Sequence, residues 1–409
     1  MSYVSSAVCV KCGAEHEATP TLTTCKKCGG ILDIRYDYAK IRSAITPAAL
    51  KERRENTMWR YMEFLPVEGD LPRPKLRVGC SPLYRTDRLA SQLGLGSLFI
   101  KDDGINPTAS LKDRASAMAV VKAHEAGAET IACSSTGNAA SSLAGNAAAA
   151  GFTTYIFVPE RAPKGKVAQL MMFGAHVVSV KGNYEDTFRL SAEAIEEYGW
   201  YNRNAAINPY LMEGKKTVSL EIAEQLDFKM PDYVAVSVGD GCTIAGVYKG
   251  FYDLKEAGFI DRIPRLLSVQ ASGCCPLNRA IETGQPWQPM EENTIADSIA
   301  VGVPRNPDKA LNAIRSSNGV VVNVSDEEIL AAMRLLGTVG VFAEPAGAAG
   351  TAGLKKAVET GLIPHDASVV SLVTGSGLKD VANAIKAAGE PLSLEPDLEL
   401  LKKEIEAGF

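Results

Sequence analysis

The sequence predicts an α/β fold of open, mostly parallel sheets covered by helices, preceded by a small cysteine-bearing ribbon. From Ser97 onward short β-branched runs alternate with stretches of helical period, which is the pattern of parallel strands with covering helices. Four of the nine cysteines stand in two Cys-x-x-Cys pairs near the start. The 409 residues are 46% hydrophobic and 22% charged, a globular balance with ample length for a large core.

Composition also narrows the function. No run of about 18 uncharged apolar residues occurs, so no membrane span is expected. The opening MSYVSSAVCV lacks a basic stretch followed by a long apolar run, so no secretory leader is expected. An odd cysteine count without such a leader points to a reducing, cytoplasmic setting. A net charge of −5 gives no support for a nucleic-acid partner. The four histidines, His16, His124, His176 and His365, form no zinc-hydrolase pattern.

Taken in order, residues 1–35 hold Cys9-Val-Lys-Cys12 and Cys25-Lys-Lys-Cys28, twelve residues apart, each pair followed by glycine. Paired thiolates at this spacing suit one tetrahedral ion, and the glycines relieve the turns. The expectation is a structural Zn2+ held by Cys9, Cys12, Cys25 and Cys28, with no open position for catalysis. From Tyr36 to Phe64 apolar and charged residues mix at helical spacing, and Leu65 to Pro82 reads as a Pro- and Gly-rich arm. Strands are expected at 97–101, 130–134, 153–158, 176–180, 233–238, 265–270, 319–324 and 368–373. Helical patterns lie at 111–127, 140–151, 184–199 and 326–337, several ending in glycine. The Ala-rich segment 139–150 reads as a closely packed helix.

Five segments carry chemistry. Asn106-Pro-Thr-Ala-Ser-Leu-Lys112-Asp-Arg follows a strand and opens a helix. The helix dipole disfavours an ammonium there, which would make Lys112 a better amine nucleophile; the bland reading is a solvated lysine paired with Asp113. Cys133-Ser-Ser-Thr-Gly-Asn138 is strand, tight turn and helix start, suited to a carboxylate or to plain N-capping. Ser237-Val-Gly-Asp-Gly-Cys-Thr243 is a Gly-rich βα loop able to approach a phosphate. It is neither a Rossmann fingerprint nor a Walker A loop. Glu344-Pro-Ala-Gly-Ala places a carboxylate at a helix start. Val373-Thr-Gly-Ser-Gly377 ends the last strand, where hydroxyls often face a ligand crevice.

The order of these segments resembles that of fold type II pyridoxal-phosphate enzymes, related to the tryptophan synthase β chain, and most closely that of threonine synthases. The likeness runs from about Leu65 to Asp380, and the ribbon resembles one found in some microbial members. It implies pyridoxal 5'-phosphate as cofactor, an amino acid as substrate, a homodimer and two α/β lobes. The large lobe would comprise 36–109 and 185–395, a small mobile lobe 110–184, and a tail 396–409. By the same resemblance Lys112 holds the cofactor as a Schiff base and later moves the α-proton. Asn138 donates to the cofactor's phenolic oxygen. Gly239, Asp240, Gly241, Cys242 and Thr243 hold its phosphate, mainly through backbone N–H groups. Thr374 meets its pyridine nitrogen, and a neutral hydroxyl there favours elimination or replacement over transamination. Ser135, Thr136, Gly137, Asn138 and Ala139 bind the substrate carboxylate.

The chain departs from that family where substrate phosphate is bound. Asn-Ser-x-Asn-Pro-Tyr-Arg becomes Ala205-Ala206-Ile207-Asn208-Pro209-Tyr210-Leu211, Ala139 replaces a threonine, and Ser376 stands where histidine is common. Asp240 must turn its carboxylate away from a phosphate. The activity the resemblance implies is conversion of O-phosphohomoserine and water to threonine and phosphate. The alternative is a serine or threonine ammonia-lyase, or a β-replacement enzyme, acting on an unphosphorylated amino acid.

Overall fold

The computed structural model describes residues 2–69, 71–162, 164–182 and 184–408. The thirteen strands in these residues build three sheets. β1 (Val4–Cys9), β2 (Glu15–His16) and β3 (Leu32–Tyr36) form the antiparallel ribbon, in the order β2-β1-β3. β4 (Leu83–Arg85) and β5 (Ser97–Asp102) begin the large sheet. β6 (Thr130–Ser134), β7 (Thr153–Pro159), β8 (His176–Val180) and β9 (Tyr201–Asn202) form the small one, ordered β8-β7-β6-β9 and parallel throughout. β10 (Tyr233–Ser237), β11 (Arg265–Ala271), β12 (Val320–Val324) and β13 (Ser368–Val373) complete the large sheet. Its order is β12-β11-β10-β13-β5-β4, and only the edge strand β4 runs antiparallel.

Strand alternation explains why the large-sheet strands read as unbroken apolar runs. Val234 and Val236 of β10 join one core, while Tyr233 and Ala235 join the core on the opposite face. β13 divides the same way, with Val370 and Leu372 on one side and Val369 and Val373 on the other. A parallel sheet covered on both faces has no polar side to show. The helices Cys242–Glu256 and Thr217–Gln225 cover one face, and Asp326–Gly337 and Pro345–Glu359 the other. The small sheet packs Ile131, Cys133, Ile156 and Val158 against Ala140, Leu143, Ala144 and Ala147 of the helix Asn138–Ala149. Its small residues let that helix lie close to the helix Lys112–Glu125, where the Ser116 and Ser142 hydroxyls meet at 2.7 Å.

Three features differ from the sequence expectation. The ribbon strands, β4 and β9 carry no recognisable run, because strands of two to six residues in a small ribbon or at a sheet edge need not be apolar. The helix Tyr184–Glu197 and β9 pack on the small sheet, so 185–202 lies with that sheet rather than with the larger lobe. The segment 396–409 contains an exposed helix, Leu398–Glu406.

One buried charge network joins the pieces. Arg114, two residues beyond Lys112, reaches both oxygens of Asp103 at 2.6 and 2.8 Å and both oxygens of Glu221. Glu221 also accepts from Lys101 Nζ at 2.7 Å and from the Cys80 N–H at 2.8 Å. Lys101 and Asp103 flank the end of β5, Cys80 lies on the arm, and Glu221 lies on the helix Thr217–Gln225. Removing the guanidinium leaves two buried carboxylates short of a partner. Arg114→Met is therefore expected to lose about 3–5 kcal/mol of stability in denaturant unfolding. A loss below about 1 kcal/mol would show that the network is not what joins these segments.

Candidate active site

Four strand ends converge where the two sheets meet. β5 leads through Asn106–Leu111 to Lys112, β6 through Ser135–Gly137 to Asn138, β10 through Val238–Gly241 to Cys242, and β13 to Thr374. Carboxyl ends of parallel strands open outward at such points, leaving a crevice. The crevice is a cavity of about 520 Å³. Its walls include Lys112, Ser135, Thr136, Gly137, Asn138, Ala139, Gly239, Asp240, Gly241, Cys242, Thr243 and Thr374. The structure thus places every residue expected at the cofactor and at the substrate carboxylate on one cavity.

Lys112 is the first residue of its helix, and the strand–helix corner is fixed from both sides. The Leu111 N–H donates to the Thr374 carbonyl at 2.8 Å, and the Ser376 N–H donates to the Ala109 carbonyl at 3.0 Å. Asp113 does not pair with the lysine. Its carboxylate accepts from the Thr108 N–H and hydroxyl, each at 2.8 Å, and from Asn146 Nδ2 at 2.8 Å. Lys112 has no hydrogen-bond or ion-pair partner among the described residues. Burial, and secondarily the charge of Arg203, pushes its ammonium below the ordinary lysine range. The solvated, ion-paired reading of this lysine is therefore set aside.

The Gly-rich loop is shaped for close approach. Gly241 has φ +85, and a Cβ there would lie 2.7 Å from the Asn306 carbonyl oxygen. The helix Cys242–Glu256 begins immediately after it, so its first N–H groups lack intrahelical partners and favour an anion. The Asp240 Oδ1 accepts from the Arg305 N–H at 3.2 Å.

Glu344 stands opposite. Its Oε1 accepts from Asn138 Nδ2 at 2.7 Å and lies so near Gly375 that any Cβ there would come within 2.1 Å of it. Burial, then the Asp297 carboxylate, raises the Glu344 carboxyl to about 7. Lys166 bridges to Asp297, and Lys379 Nζ donates to Ser141 Oγ at 2.9 Å, so both lobes contribute to the rim. The sequence pattern did not single out Asp297, Glu292 or Arg305, which also line the cavity. They sit within 284–306, a stretch with neither strand nor helix period.

At the ribbon, the four sulfurs all lie within 4.8 Å of one another. Neighbouring pairs are 3.4 to 3.7 Å apart. Tetrahedral Zn–S bonds of about 2.3 Å demand sulfur separations of roughly 3.8 Å, so the quartet fits such an ion. His16 Nε2 stands 3.2 Å from Cys25 Sγ. The ribbon docks through Tyr36 Oη to Glu213 at 2.6 Å and through Tyr210 Oη to the Thr19 carbonyl at 2.7 Å. Both contacts reach the helix Tyr210–Lys215, whose last residue lines the cavity.

A half-buried amine without a partner among the described residues, beside a backbone cradle for phosphate and with an amide donor and a hydroxyl in the same cavity, fits pyridoxal phosphate. The sequence profile described as "Pyridoxal-phosphate dependent enzyme" matches residues 75–375. The chain is 42% identical to threonine synthase of Methanosarcina acetivorans, over 97% of this chain and 98% of that one. It is 41% identical to threonine synthase of Methanocaldococcus jannaschii over the same shares. Among solved structures, threonine deaminase isoform 2 from Solanum lycopersicum superposes with a TM-score of 0.64, at 23% identity, over 75% of this chain and 86% of that one. Maize serine racemase superposes with a TM-score of 0.63, at 23% identity, over 80% and 92%. These two establish the shared fold alone. The chain belongs to the pyridoxal-phosphate dependent enzymes and, within them, to the threonine synthase family.

The Glu344 carboxyl makes the cofactor-free protein pH-sensitive. Its folded value of about 7 lies above its ordinary 4.5. Its contribution is therefore fully present below about 4.5 and lost as pH rises through about 7, on the order of 3 kcal/mol. Glu344→Gln should flatten the fall in urea midpoint between pH 5 and pH 8; an unchanged slope would assign it to another group.

Proposed function

We propose that this chain converts O-phosphohomoserine and water to threonine and phosphate. The observation that carries this reading is the partnerless Lys112 in a cavity walled by all the expected cofactor and substrate residues, together with full-length identity of 42% to a threonine synthase.

Bound pyridoxal phosphate supplies an electron sink for negative charge that develops on the substrate carbons. Lys112 would be the amine that holds the cofactor, and its lowered basicity leaves more of it as free amine. With the cofactor bound, Lys112 would also be the base that moves the substrate's α-proton. Asn138 donates to the phenolic oxygen while Glu344 holds its amide in place. Backbone N–H groups of Gly239 to Thr243 hold the cofactor phosphate, and Thr374 offers the pyridine nitrogen a neutral hydroxyl. The loop Ser135–Ala139 holds the substrate carboxylate at a helix start. Loss of phosphate from the γ-carbon and addition of water at the β-carbon then give threonine.

The ribbon holds one structural Zn2+ per chain through Cys9, Cys12, Cys25 and Cys28, and a homodimer in a cytoplasmic setting accompanies this reading. No cysteine among the described residues forms a disulfide. Metal analysis of carefully prepared protein should return one zinc per chain; none would sink the assignment.

The decisive assay is release of phosphate from O-phosphohomoserine by cofactor-loaded enzyme, with threonine measured in the same tube. Equal amounts of both are expected, and Lys112→Ala should abolish turnover and the borohydride-reducible adduct. An adduct on another lysine would overturn the role of Lys112. If wild-type enzyme carries cofactor but releases no phosphate, the unphosphorylated-substrate reading takes over, favoured by Ala139, Ala205, Ala206 and Leu211, none of which offers a side-chain donor. Serine and threonine deamination would then be measured.

A further inference from the structure

Five of the seven buried cations among the described residues are paired with carboxylates. Lys101, Arg114, Lys122, Lys216 and Lys249 are all buried, and each meets a carboxylate oxygen within 3.2 Å. Apart from Lys112, which the cofactor claims, two cations near the cavity have no carboxylate partner among the described residues. Lys215 is 3% exposed, and its Nζ has no hydrogen-bond or ion-pair partner there. Arg203 is 2% exposed, and its guanidinium bonds only the Ser116 hydroxyl, at 3.0 and 3.2 Å. A buried charge without a counter-ion is costly, so such a group marks where a ligand's charge belongs.

Lys215 is well placed for that role. It lines the main cavity. It also lines a small adjoining void with Ala206, Leu211 and Cys242. Leu211 and Lys215 are four residues apart on the helix Tyr210–Lys215, hence on one face. Leu211 itself packs into the core of the small sheet. The chain thus carries an aliphatic side chain at position 211 and a cation one turn further on. Burial, with the nearby charges of Lys112 and Arg203, brings the Lys215 ammonium down to about 8, although Cys242 and Asp240 pull the other way. The surroundings are short of negative charge, which an incoming dianion would supply.

We propose that Lys215 is the group that recognises the substrate's phosphate monoester, with Arg203 reinforcing the positive field behind it. This rests on the phosphorylated-substrate reading above and names how that substrate is told from an unphosphorylated one. A single ammonium on the same helical face replaces a planar guanidinium, so recognition is by point charge rather than by a two-pronged fit.

The test compares wild-type holoenzyme with Lys215→Met and Lys215→Arg. Three readouts are used: KM for O-phosphohomoserine, Kd for inorganic phosphate by calorimetry, and cofactor affinity by absorbance titration. Loss of one charge-assisted hydrogen bond should raise the first two by about 10- to 100-fold in Lys215→Met. Cofactor affinity should stay within about threefold of wild type, and Lys215→Arg should recover most of the loss. The thermal midpoint of Lys215→Met should not fall, because removing an unpaired buried charge relieves the fold. A phosphate Kd unchanged in Lys215→Met would overturn the proposal. So would a loss confined to cofactor affinity, which would assign Lys215 to the cofactor's phosphate. If wild-type enzyme turns over no O-phosphohomoserine, the reaction assignment fails. The inorganic-phosphate arm then still decides the anion site: weakened binding in Lys215→Met upholds it, and equal binding overturns it.

Discussion

Arg114 is the constraint on which the active site depends. Its guanidinium is fully buried and shared between Asp103 and Glu221, and Glu221 is shared again with Lys101. These residues come from the large sheet, the helix behind it and the helix that carries Lys112. A buried charge network tolerates little displacement, since each misplaced partner leaves a desolvated charge. Lys112, only two residues away, therefore has its backbone held by groups from separate parts of the fold. Asp113 completes the arrangement by turning inward to Thr108 and Asn146, which leaves the lysine facing the cavity without a partner.

The remainder of the site is built from strand ends. The walls that carry Lys112, Asn138 and Cys242 start at the carboxyl end of a parallel strand and continue into a helix start, so their N–H groups available to anions come with the topology. Small residues bring the walls together. Gly375 lets Glu344 reach Asn138, and Gly241 lets the cofactor loop lie against Asn306. The ribbon joins this architecture from outside. Tyr36 and Tyr210 tie it to the helix Tyr210–Lys215, so the four-cysteine ribbon braces the element that ends at Lys215.

Much of this was legible in the residues. The eight longest β-branched runs are strands, because buried parallel strands must be apolar on both faces. The cysteine spacing predicted the quartet, because two thiolates on a tight turn can meet one ion. The cofactor residues were recognisable because each sits at a fixed offset within a strand–turn–helix unit. Illegible were the short edge strands, the placement of 185–202 on the small sheet, and the cavity wall from 284–306. None has a period, and their positions come from what they pack against.

The order of residues was enough to predict an α/β chain, a four-cysteine ribbon and a lysine at a strand–helix corner, since each depends on local periodicity or on groups close in the chain. Folding decided matters of partnership. Which cations find carboxylates, and which are left facing the cavity, depends on tertiary packing, as with Arg114 and Glu221, far apart in the chain. Lys215 and Lys216 are neighbours with equal charge. Lys216 turns to Glu213 and Asp253, whereas Lys215 turns to the cavity, because adjacent helical residues point about 100° apart.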